Sequence, residues 1–190
     1  ARYAPAYLAG PAFGGGVYRA SSGSFNPVIW NAAVGDRMDA LLAALGRELD
    51  GDPALEAVVL PETAPSANLT RSPQDGVERY TPDLYAASLE RMMTALRRSF
   101  PGTVVIQYTN FPGDLLDRLT SFMKEAGVGL GGPDVYPRPD AVSDPVRGVY
   151  RFYPKLAGVV PLGAAVQSPD YSVAAKKRTA LFDRGGDRSE

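Results

Sequence analysis

The chain has 190 residues, 45% of them hydrophobic and 22% charged, and a net charge of −1. That length suits one domain, and that balance supports a packed core rather than wholesale disorder. With no cysteine and no histidine, it excludes disulfides, thiolate nucleophiles, Ser-His-Asp and Cys-His arrangements, and zinc sites of the usual kind.

What remains is chemistry by Asp, Glu, Tyr, Lys and Arg, or a hard cation held by oxygens; nothing in the sequence calls for a cofactor or a metal. The near-zero charge provides no field to steer nucleic acid or an anionic membrane. No run of about 18 apolar residues is present, so no membrane insertion is expected. Ala1 to Pro5 lacks the apolar core of a signal peptide and reads as the interior of a longer protein. The missing cysteines fit a secreted or periplasmic setting and equally a cytoplasmic one.

From the N-terminus, Tyr3 to Leu8 is a short apolar run closed by Gly10-Pro11 and is expected to be a strand. Gly14 to Gly16 and Ser21 to Ser24 then predict a long, flexible loop without a phosphate-binding pattern. Val34, Met38, Leu41, Leu42, Leu45 and Leu49 recur at spacings of three and four, which predicts a helix with one apolar face, capped by Asn31 and stopped at Asp50-Gly51-Asp52-Pro53. Leu55 to Leu60 is a continuous apolar run, as in a strand buried on both faces of a parallel sheet. It opens into Pro61-Glu62-Thr63 and a polar loop from Ala64 to Tyr80.

Thr81-Pro82-Asp83 opens a second helix with Leu84, Tyr85, Leu89, Met92, Met93, Leu96 and Phe100 on its apolar stripe. Thr103 to Tyr108 is a β-branched strand opening into Thr109-Asn110-Phe111. A third helix follows, with Leu115, Leu116, Leu119, Phe122 and Met123 inward and Gly127 at its end. Val128 to Leu130 is a short strand leading into Gly131 to Pro137. A weak helix is expected from Asp144 to about Lys155, and a strand from Val159 to Val166. Residues 1–175 read as a single domain. The polar tail 176–190 is expected to be poorly ordered, and Lys176-Lys177-Arg178 to be a solvated face.

Alternating strands and helices imply parallel pairing and right-handed crossovers. About five strands are visible, whereas a complete (β/α) barrel of eight units needs about 250 residues. The chain is therefore either an incomplete TIM-barrel-like α/β fold or an open, doubly wound sheet. No dinucleotide-binding glycine fingerprint follows a strand, which weighs against the second.

Both architectures work at the C-terminal ends of their strands. Those positions hold Glu62, then Gln107, Tyr108 and Asn110, then Asp134 and Tyr136, then Gln167, Asp170 and Tyr171. Carboxylates and amides bind sugar hydroxyls, and aromatic rings pack on apolar sugar faces. Glu62, directly after an apolar strand, is the foremost candidate for a general acid; its alternative is a loop carboxylate that caps a helix or pairs an arginine. Asp134 and Asp170 are the other candidate carboxylates, each with a turn-forming alternative. Trp30 is either a sugar-stacking platform or a staple at the start of the first helix.

The segments NPVIWN (from Asn26), LEAVVLPETA (from Leu55), VVIQYTNFP, GVGLGGPDVYP and PKLAGVVPLGAAVQSPDY resemble a bacterial glycoside-hydrolase-like TIM barrel, up to about Tyr171. The resemblance implies roughly the third to seventh of the eight strands, with Glu62 at the position of the acid/base of the large retaining-hydrolase clan. Two residues depart from that clan. Pro61 stands where it usually has Asn, and Gln167 stands nearest its nucleophile, so standard retaining chemistry is not implied. An inverting pair, with Asp134 or Asp170 at a separation of about 6.5–9.5 Å, is the alternative. Three functions follow as expectations: a glycoside hydrolase with an oligosaccharide substrate lined by Tyr108, Asn110 and Tyr136; a non-catalytic carbohydrate-binding barrel; or an incomplete barrel that self-associates or needs a partner.

Overall fold

A computed structural model describes residues 4–65, 74–132 and 148–165. Of the expected elements, the first is overturned. Residues Ala6–Ala9 and Pro11–Phe13 form two 3-10 turns, not a strand. Proline at 5 and 11 and glycine at 10 punctuate the run before any extended pairing can form. The long loop expected next contains a small antiparallel hairpin instead, β1 (Val17–Arg19) and β2 (Phe25–Pro27), with Tyr18 opposite Asn26.

The helices begin where their caps predict. Helix α1 (Ala32–Leu49) starts at Asn31, whose Oδ1 accepts from Val34 N at 3.1 Å. Helix α2 (Pro82–Ser99) starts at Thr81, whose Oγ1 accepts from Leu84 N at 3.2 Å; Asp83 in its first turn and Arg97 and Arg98 in its last complement the helix dipole. Helix α3 (Leu116–Ala126) ends on Gly127, left-handed at φ 68°. The start of α3 lacks a side-chain cap, and a 3-10 turn over Gly113–Leu115 leads into it.

Strands β3 (Ala57–Leu60), β4 (Val104–Tyr108), β5 (Gly129–Gly132) and β6 (Leu162–Ala164) form one parallel sheet in sequence order. Between β5 and β6 the described chain holds a 3-10 turn, Val149–Phe152, and the short helix α4 (Tyr153–Leu156). The expected helix from Asp144 is thus shorter where it can be seen, and residues 144–147 lie outside the described residues. The protein is therefore a mixed α/β fold with a four-stranded parallel sheet flanked by helices.

Register separates the two faces of the sheet. Leu60, Gln107, Leu130 and Leu162 form one row across all four strands. Val58, Leu60, Val105 and Leu130 join the core built with Leu89, Met93 and Leu96 of α2 and Leu119 and Met123 of α3. The opposite face carries Val59, Ile106 and Tyr108 with three glycines. A Cβ at Gly129 would lie 2.9 Å from Ile106, one at Gly131 would lie 2.8 Å from the Tyr108 ring, and one at Gly163 would lie 3.3 Å from the Tyr108 hydroxyl. Tyr108 thus lies flat over β5 toward β6, in space that only glycine leaves open.

One expected face is not buried. Leu41, Leu45 and Leu49 of α1 are exposed, and Val34 and Leu42 carry its packing. The helix meets α2 edge-on at Gly46, where a Cβ would come within 2.1 Å of Ser99 O, so the crossing is set by a glycine rather than by the leucine stripe.

Candidate functional site

Beyond β3 and β4 the chain stays in register for several more residues. Thr63 N donates to Tyr108 O at 3.1 Å, Phe111 N donates to Thr63 O at 3.1 Å, and Thr109 N donates to Gly131 O at 2.9 Å. Thr63 is buried, and its Oγ1 accepts from Asn110 N at 3.4 Å. This extended ladder fixes Glu62 between two held residues. Gln107 holds it from below: its Nε2 donates to Pro61 O and to Tyr108 O, both at 2.7 Å. The Glu62 carboxyl then takes a side-chain partner from the neighbouring strand end, Asn110 Nδ2, at 3.1 Å.

Glu62 opens into a cavity of about 250 Å³. The hairpin contributes Tyr18 and Asn26, the segment before α1 contributes Ile29 and Trp30, and α2 contributes Tyr85, Leu89 and Met92. Gln107 and Thr63 line it from the strand ends. The volume falls short of the roughly 300–1,000 Å³ of a site that buries a drug-sized ligand, and suits one small ring.

Trp30 is 6% exposed and forms the wall between the hairpin and α2. Its ring centroid stands 5.8 Å from that of Tyr18, 5.6 Å from Tyr80 and 6.1 Å from Tyr85. Its Nε1 donates to Glu78 O at 2.9 Å, which ties residues 74–80 across the hairpin. Gln74 adds to that tie, bonding both the N–H and the C=O of Arg19. Trp30 is thus the centre of an aromatic cluster with one side on the cavity. Burial first, then the neighbouring Tyr18 and Tyr80 phenols, then Glu62, push the Tyr85 phenol well above its ordinary value, so it enters the site as a neutral hydroxyl.

The structure brings together four predicted site residues: Glu62, Gln107, Asn110 and Trp30. Tyr108 does not join them. Its side chain lies on the opposite face of the sheet, over Gly131, because side chains alternate along a strand and Gln107 already takes the cavity side. Asp134, Tyr136, Gln167 and Asp170 lie outside the described residues, as does the tail 176–190. Sequence reasoning missed Tyr18, Thr63 and Tyr85. Tyr85 was absorbed into the apolar stripe of α2, and Tyr18 sat in what reads as loop; only the pairing of the hairpin reveals it.

Among the described residues no group of three or more Asp and Glu side chains is placed to hold a metal ion, and no helix is long and apolar enough to cross a membrane. A second cavity, of about 200 Å³, lies on the helical exterior between α3 and α4, beside Ser121, Lys124 and Phe152; no predicted site residue borders it. No protein-family model, curated protein or solved structure matches the chain. What the fold and the site define is therefore a class: a parallel α/β protein with a carboxyl group and two amides gathered at adjacent strand ends.

Proposed function

We propose that the chain is an incomplete (β/α)-barrel of glycoside-hydrolase type that acts on or binds an oligosaccharide. The observation that carries this reading is Glu62 at the C-terminal end of a parallel strand, held by an amide of the next strand and facing a cavity walled by Tyr18, Trp30 and Tyr85. Aromatic walls and amide and carboxyl edges match the mixed apolar and hydroxylated surface of a sugar ring.

The barrel reading is supported by the winding of the sheet. Strand order follows chain order without a reversal, whereas a doubly wound sheet reverses at its switch point. Helices α2 and α3 pack on the same face, as around a barrel. Four strands are half of the eight that close one. Among the described residues β3 and β6 form the edges of the sheet, Val59 and Val104 are exposed on the glycine-bearing face, and Leu41, Leu45 and Leu49 of α1 are exposed. Such surfaces favour self-association.

In the hydrolytic mechanism Glu62 gives its proton to the leaving glycosidic oxygen as the C–O bond breaks, and water attacks the anomeric carbon. Asp134 or Asp170 would supply the carboxylate that activates that water. A second reading, a carbohydrate-binding barrel without turnover, draws on one observation: Glu62 is the one carboxyl group among the described residues that line the cavity. Gln107 and Asn110, with Tyr136 and Gln167, serve the sugar in either reading.

The test is Glu62→Gln assayed on a broad panel of oligosaccharides. Loss of a general acid lowers turnover by about 10²–10⁴-fold with the circular dichroism spectrum unchanged. Unchanged turnover removes Glu62 from the chemistry. Binding by the wild type with no product from any glycoside selects the second reading.

A further inference from the structure

The residues around the Glu62 cavity meet solvent on one side only. Tyr18, Trp30, Tyr85, Leu89 and Met92 are buried and belong to the core. Thr63 and Gln107 are buried as well, and Gln107 is tied to the backbone at Pro61 O and Tyr108 O. Hairpin, α2 and strand ends thus supply a bottom and walls that have no outer surface of their own. The lining residues that do reach solvent fall in two short stretches. Asn26, Pro27 and Ile29 are half-buried; Glu62 is half-buried between exposed Pro61 and Ala64, with buried Thr63 behind it. Among the described residues the mouth therefore lies between 26–29 and 61–64, and Glu62 stands on its rim. The space of about 250 Å³ is a pit with one opening, not a groove that runs through the protein.

We infer that this site takes the terminal residue of a glycan chain and excludes residues within the chain. The inference rests on the oligosaccharide reading above and names the part of the ligand that the site accepts. A residue inside a chain carries a glycosidic bond on each side, so it needs a way in and a way out. A pit has only one. A terminal residue carries a single bond, and that bond leaves through the mouth. The size agrees: the cavity is smaller than the roughly 300–1,000 Å³ of sites that enclose a larger ligand, and it holds one ring. With the ring inside, its link to the rest of the chain lies at the rim, where Glu62 stands. In the hydrolytic reading the terminal C–O bond breaks there. The Glu62 proton goes to the oxygen that departs with the remaining chain. Water gives its hydroxyl to the anomeric carbon and its proton to the second carboxylate. One monosaccharide leaves per turnover. In the binding reading the same pit caps a chain end.

Stoichiometry separates an end from an interior. Linear malto-, cello-, manno- and galacto-oligosaccharides, together with longer glucan, mannan and galactan chains of known length, are titrated against the whole protein by calorimetry while Trp30 emission is followed. In a series that binds, one protein should bind per chain however long the chain is, and the emission of Trp30, the single tryptophan, should saturate in step. Where product forms, the first product should be the monosaccharide. A number of bound proteins that grows with chain length overturns the inference and leaves the oligosaccharide reading in place, as does a first product of two or more residues. Binding that leaves Trp30 emission unmoved also overturns it, because the sugar then lies outside the pit. Binding by no member of any series counts against both the inference and the reading beneath it.

Discussion

Glu62 owes its place to Thr63 and Gln107 more than to its own contacts. Thr63 is buried and serves β4's extension with three groups: its N–H, its C=O and its hydroxyl. Thr63→Val keeps the shape and removes the hydroxyl acceptor for Asn110 N; it should cost about 1–2 kcal/mol in urea unfolding and reduce any activity that depends on Glu62. Tyr85 gives a pH signature. Its phenol is held protonated in the folded chain, above the ordinary tyrosine value of about 10, while the unfolded chain ionises there. Its contribution is therefore complete below pH 10 and is lost as pH rises beyond it, since the unfolded state then binds fewer protons. Tyr153, raised by burial and by neighbouring Tyr150, acts in the same direction. The melting temperature should fall above pH 10, and Tyr85→Phe should flatten part of that fall; an unaltered alkaline profile in the variant would show that Tyr85 titrates freely. At this scale Glu62 and Asn110 were legible, because each lies within a few residues of the end of an apolar run that reads as a strand. Tyr108 lies apart from them for a reason of parity. Position alone marks a strand end, but the side to which a residue points depends on which of its neighbours reaches the core.

At the scale of elements, caps and glycines decide the geometry. Asn31 and Thr81 mark the helix starts in the sequence and in the structure alike, since a side-chain acceptor followed by an apolar stripe is a local signal. Asn31→Ala should destabilise the fold by about 1 kcal/mol. Strand β5 is the opposite case. Its sequence, GLGG, has poor strand propensity and reads as loop after Leu130, yet it is a buried central strand. Glycine is required there by long-range packing: Tyr108 occupies the space over Gly131 on one face, and Tyr150 lies 2.7 Å from a Cβ at Gly132 on the other. Tyr153 completes that second face by donating its hydroxyl to Gly163 O. Gly131→Ala should force the Tyr108 ring off β5 and cost about 1–3 kcal/mol by calorimetry; an unchanged melting temperature would show that the ring moves freely. The sequence places a short strand at Val128 to Leu130; its extension through Gly132 rests on packing that is not local. The first 3-10 turns show the converse, an apolar run that looks like a strand until its prolines are counted.

For the whole molecule, the alternation of apolar runs and helices was enough to predict parallel pairing, because each crossover must bury a helix against the sheet it leaves. The burial of α1 was not predictable from its stripe. Leu41, Leu45 and Leu49 have the right period, but no described element packs against them, and they are exposed. A chain with those surfaces should show a mass that rises with concentration in light scattering, and Leu41→Glu with Leu45→Glu should return it to the monomer mass. A monomer at all concentrations would mean that the edges are covered within one chain.

The account depends on a sugar entering the cavity between Glu62 and the aromatic wall. The chain has a single tryptophan, and Trp30 lines that cavity, so its fluorescence reports on this one place. Titration with oligosaccharides should give a saturable change in Trp30 emission that Glu62→Gln weakens. An emission spectrum unmoved by millimolar concentrations of every oligosaccharide in a broad panel would contradict the account.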